Sequence, residues 1–132
     1  MLVIDKSVYE AVIIAGQVGY PLEVCGLLAG KNGRITHHYP ILNKLQSHVA
    51  FEMEPLQQIE TMLAIEASGL EILAIYHTHP RSPAIPSPTD IAQAYYPKFI
   101  QFILSLQEPE RPSLRAFTII NHQVDEIPFS VA

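Results

Sequence analysis

Two short segments of the chain place chemically able residue types at close spacing. In Tyr76-His77-Thr78-His79 an apolar run ends in two histidines separated by one residue, and Ser87-Pro88-Thr89-Asp90 follows soon after. Residues i and i+2 of a strand project to the same side, so His77 and His79 would offer two imidazoles to one ion. A carboxylate brought beside them makes a donor set of two histidines and one acid with room for a water. That composition suits a catalytic zinc site. Each segment also has an ordinary reading. Histidines at strand ends often bond backbone or water, and serine, proline and an acid in this order form a capping box at a helix start. Capping and metal binding are compatible, because an acid in a first helical turn is a well-oriented ligand. Prolines at 80, 83 and 86 restrict the intervening backbone, so less entropy is lost in holding Asp90 near the histidines.

These residues need elements to hold them. EILAIYHTH (71–79) is strongly apolar and is predicted to be a central strand, and SPTDIAQAYY a short helix ended before Pro97. Upstream, a short strand at Leu2 to Ile4 precedes a helix over DKSVYEAVIIAGQVGYP, capped by Asp5 or Ser7, with Val8, Ala11, Val12, Ala15 and Val18 at helical spacing. VCGLLAG and RITHHYPI form a hairpin around Asn32-Gly33, a pair suited to positive φ angles. FEMEP reads as strand-like. PLQQIETMLAIEASG reads as a helix with Leu56, Ile59, Met62 and Leu63 on one face, ended at Gly69. FIQFILSL, LRAFTII and VDEIPF are three closing strands, the last two joined around Asn121 and His122. This order predicts an α/β fold, a mixed β-sheet flanked by helices, with strand order left open.

Composition narrows the classes. The chain has 132 residues, 48% of them hydrophobic and 16% charged, which suits one domain over residues 1–132 and argues against disorder. Its formal net charge of −5 and lack of a lysine or arginine cluster argue against binding nucleic acid through phosphates. No apolar run approaches the roughly 20 residues of a membrane-spanning helix, and the N-terminus does not read as a signal peptide. Cys25 is the only cysteine, so no internal disulfide can form and a cytoplasmic setting is expected.

The pattern His77-x-His79-x7-Ser87-x-x-Asp90 resembles the signature of the JAMM (MPN+) zinc metalloproteases. Upstream, PLEVCGLLAG supplies Glu23 in a glycine-rich setting, similar to the family's glutamate element. The resemblance covers nearly the whole chain and is to the small stand-alone prokaryotic members. It implies the JAB1/MPN (cytidine deaminase-like) three-layer architecture and a Zn2+ ion held by His77, His79, Asp90 and a water. It further implies that Glu23 is general base and acid, and that Ser87 donates to the oxyanion. The implied reaction is hydrolysis after the C-terminal Gly-Gly of a ubiquitin-like sulfur-carrier protein, with no nucleic-acid or membrane partner and oligomeric state open. Cys25 has two readings: a small buried residue packing the site wall, or a thiolate that joins the two histidines and the aspartate in a closed, structural zinc site. With the second, the protein would be a non-catalytic MPN-fold scaffold. His37, His38, His48 and His122 read as surface or satisfied polar residues.

Overall fold

The computed structural model describes residues 1–132. In chain order its elements are β1 (Val3–Ile4), α1 (Lys6–Gly19), β2 (Cys25–Lys31), β3 (Arg34–Ile41), α2 (Pro55–Ala67), β4 (Glu71–His79), α3 (Pro88–Ala92), β5 (Ile100–Ser105), β6 (Ser113–Ile120), β7 (Gln123–Ile127) and β8 (Ser130–Val131). They form one eight-stranded sheet in the order β7-β6-β5-β4-β2-β3-β1-β8. The predicted central strand is interior: β4 runs antiparallel to β2 and parallel to β5. No helix is long and apolar enough to cross a membrane.

Helices cover both faces, which is why β4 reads as nearly continuous apolar sequence. On one face Ala74 and Tyr76 pack with Val8 and Val12 of α1 and with Leu28, Phe102 and Leu104. On the other, Ile75 packs with Ile65 of α2 and with Cys25, Leu27 and Phe99. The three layers expected from the resemblance are therefore present. Both tight hairpins use left-handed residues, with φ of 53° and 77° at Asn32 and Gly33, and 51° and 64° at Asn121 and His122.

Several local expectations give way to tertiary context. Neither Asp5 nor Ser7 caps α1 with its side chain; the Asp5 carboxylate instead accepts from Arg34 Nε at 2.7 Å. Val18 is 81% exposed, and Leu56, Ile59 and Leu63 of α2 are each more than half exposed while Ile65 is buried. Apolar residues occur on more than one side of α2, so periodicity alone could not say which side meets the sheet. FEMEP supplies only a single bridge, Met53 to Asn43, and α3 ends at Ala92. β8 is a two-residue exposed strand with no hydrophobic alternation to signal it.

Gly26 shows how tightly β2 meets β4. A Cβ there would sit 2.5 Å from Tyr76 Cε1 and closer still to the Tyr39 carbonyl oxygen. Gly26→Ala is expected to destabilise the fold by roughly 1–3 kcal/mol, read as a lower midpoint in urea at unchanged slope.

Candidate metal centre and catalytic residues

The end of β4 and the start of α3 meet at one point. His77 Nε2 lies 3.1 Å from His79 Nε2 and 3.1 Å from Asp90 Oδ2, and His79 Nε2 lies 3.0 Å from the same oxygen. Both histidines are buried. Three atoms at mutual hydrogen-bond distance cannot all be satisfied by protons of the neutral groups. His79 Nδ1 is 2.8 Å from the Pro83 carbonyl, which only accepts, so Nδ1 carries the hydrogen and a neutral His79 turns an Nε2 lone pair inward. That lone pair faces a carboxylate oxygen, and a proton or a metal ion between them satisfies both. Donor atoms of a tetrahedral zinc site with bonds near 2.0–2.1 Å stand about 3.3 Å apart, close to the spacing observed. The donor set and its geometry fit zinc.

The loop and helix start hold the acid. Asp90 Oδ2 accepts from Ser87 N at 2.9 Å and Ser87 Oγ accepts from Asp90 N at 3.0 Å, a complete capping box. The cap uses a lone pair of the serine, so its O–H remains free to donate. Burial alone would raise the Asp90 pKa. The contacts from His77 and His79 and the Ser87 N–H outweigh it and hold the carboxyl well below the usual range. Burial lowers the pKa of His77. For His79 burial also acts downward, but Asp90 and the Pro83 carbonyl prevail and raise it.

Glu23 lies two residues before β2, 4% exposed, with Oε1 buried and unpartnered. It is not one of the three clustered donors. Burial pushes its pKa up to about 7, with His79 pulling it down and Asp90 pushing it up; it is thus within electrostatic reach of the cluster. Cys25 is buried and turned away, its Sγ 3.4 Å from the Ile41 carbonyl. Burial, with the charge of Glu23, pushes the thiol up to about 12 in the metal-free protein. With its Sγ on the Ile41 carbonyl and outside the group of three clustered donors, Cys25 does not close the site.

A cavity of about 420 Å³ lined by Phe51, His77, Asp90, Tyr95 and Gln101 opens beside the cluster. A second, of about 670 Å³, reaches Glu23 from the α1 side. Sequence reading missed Phe51, whose ring stacks on His77 at 4.5 Å between centroids. It sits in the stretch read as a strand, and nothing local marks it. The other histidines behave as expected. His37 and His48 are exposed, as is His122, while His38 Nε2 is 2.6 Å from Tyr76 Oη.

Residues 5–120 match the family described as prokaryotic homologs of the JAB domain. The chain is 31% identical over 133 residues to the CysO-cysteine peptidase of Mycobacterium tuberculosis, covering 99% of this chain and 91% of that protein. It is 41% identical over 75 residues to a probable TtuB-protein conjugate cleaving protease of Thermus thermophilus, covering 56% and 50% respectively. A JAB1/MPN domain protein from Archaeoglobus fulgidus superposes with a TM-score of 0.67 at 17% identity, covering 100% of this chain and 99% of that one. The last likeness is one of fold.

Proposed function

Because the chain belongs to the family of prokaryotic homologs of the JAB domain, we propose that it hydrolyses the bond after the C-terminal Gly-Gly of a ubiquitin-like sulfur-carrier protein. It is a JAMM-type hydrolase, in keeping with relatives named as a peptidase and a conjugate cleaving protease. The observation that carries the finer reading is the convergence of His77, His79 and Asp90, with a buried carboxylate, Glu23, that has an unpartnered oxygen within electrostatic reach. In this reading residues 1–132 act as one cytoplasmic domain, the lone Cys25 being consistent with a reducing compartment.

His77, His79 and Asp90 would hold zinc, which when bound supplies Lewis acidity to activate water and polarise the scissile carbonyl. Glu23 takes the proton of the attacking water and returns it to the leaving amine. The burial that raises its pKa in the metal-free protein makes it a stronger base than an exposed carboxylate for both transfers. Ser87 turns its free O–H toward the oxyanion while its lone pair continues to cap α3. Burial of the histidines excludes bulk water and strengthens these interactions.

A sulfur-carrier protein extended beyond its C-terminal Gly-Gly is expected to be cut after the second glycine, and EDTA to stop the reaction. Cutting of unrelated peptides at the same rate would reject the carrier as substrate. In the same assay Ser87→Ala is expected to lower turnover by about 10²–10³-fold with zinc retained. Zinc loss in that variant would assign Ser87 a purely structural part.

A further inference from the structure

Nothing bonded to Oε1 of Glu23 fixes where its carboxylate points. What is fixed is the peptide group joining Glu23 to Val24. Its carbonyl oxygen accepts from Asn43 Nδ2 at 3.0 Å, and its N–H donates to Thr78 Oγ1 at 2.9 Å. On either side, Glu23 N donates to the Ser47 carbonyl at 2.8 Å and the Val24 carbonyl accepts from Thr78 N at 3.0 Å. Glu23 precedes β2, so two side chains take the place of a sheet ladder at this peptide.

Both side chains are buried. Thr78 stands between the two histidines on β4 and faces the opposite side of the sheet, toward Gly16 of α1. Asn43 has its hydrogen-bonding capacity filled: Nδ2 also donates to the Ala50 carbonyl, and Oδ1 accepts from Leu45 N and Glu52 N. It thereby ties Glu23 to the loop carrying Phe51, whose ring lies on His77.

We infer that Thr78, together with Asn43, is a positioning residue that fixes the Glu23–Val24 peptide against the strand bearing His77 and His79, and so sets where the carboxylate meets the water. The inference rests on the reading of Glu23 as general base. A misplacement of about 1 Å in such a group can cost about 100-fold in rate, so a hydroxyl that touches no substrate can control turnover.

Thr78→Val keeps the shape and removes the acceptor. It is expected to lower kcat by roughly 10- to 100-fold, with KM and zinc affinity unchanged. Thr78→Ser, which retains the hydroxyl, is expected to recover most of that loss. In the metal-free protein the Val24 amide is expected to exchange its hydrogen faster in Thr78→Val than in wild type or Thr78→Ser. In a Glu23→Gln background Thr78→Val should have no further effect on kcat, because its effect runs through the carboxylate. Thr78→Ala carries the same test should the valine variant fold poorly. Wild-type kcat in Thr78→Val, equal losses in the valine and serine variants, weakened zinc binding, or a loss that multiplies with Glu23→Gln would each overturn the inference. Full activity in Glu23→Gln alone would instead remove the base assignment. A dead Glu23→Gln beside an undiminished Thr78→Val would remove only the clamp.

Discussion

Glu23→Gln is expected to slow cleavage of the extended carrier by about 10²–10⁴-fold while zinc stays bound. Glutamine matches the size of glutamate but cannot take a proton from water at neutral pH. Glu23 is not among the three clustered donors, so its charge can be removed without removing a ligand. The same variant carries a second, opposite signature in the metal-free protein. Burial raises the Glu23 pKa from 4.5 to about 7, so between those values the folded state holds a proton that the unfolded chain has released. Stability therefore falls as pH rises through that window. Glutamine carries no such penalty. Metal-free Glu23→Gln is expected to be more stable than wild type by up to about 3 kcal/mol at pH 8, and not at pH 4. Paired cleavage assays and thermal melts at both pH values read the two effects. Equal cleavage by the two proteins would refute the proton-transfer role, and a pH-independent stability difference would refute the buried-carboxylate account.

Asp90→Asn is expected to empty the metal site and with it abolish cleavage. The oxygen shared by His77, His79 and the Ser87 N–H contributes the negative charge of the donor set. Asparagine keeps an oxygen for the Ser87 N–H, so α3 should still start where it does. Two histidines and a neutral amide bind zinc far more weakly than two histidines and a carboxylate. The loss should exceed the roughly 10- to 100-fold typical of a missing outer-shell partner, as read by competition with a chelator of known affinity. Wild type stripped with EDTA should match the variant and regain activity when zinc is returned, whereas the variant should not. Retained stoichiometric zinc in Asp90→Asn would show that another group binds the ion.

The histidine strand and the serine–aspartate turn were legible because their chemistry is local. Alternation along β4 put His77 and His79 on one face, and a capping box needs only four consecutive residues, Ser87 to Asp90. The hairpin at Asn32-Gly33 was legible for the same reason, since positive φ is a property of the residues themselves. Glu23 was found only through resemblance, because an acid ahead of a strand looks like any surface carboxylate until its burial is known. The face of α2 set out by spacing, Leu56, Ile59, Met62 and Leu63, is mostly exposed, with Met62 alone of the four reaching the core beside Ile65.

By itself, then, the sequence determined the order of the elements from β1 to β7, apart from a strand expected at FEMEP that is a single bridge, together with both tight hairpins and three of the polar groups that converge, all set by spacing over a few residues. Only the tertiary structure decided that Glu23 is buried within electrostatic reach of the cluster, that Cys25 turns to Ile41, and that Asn43 and Thr78 grip the peptide beside the carboxylate. Those facts depend on contacts between segments 16 to 54 residues apart. Such contacts form through strand pairing and packing, which leave no period in the chain to read.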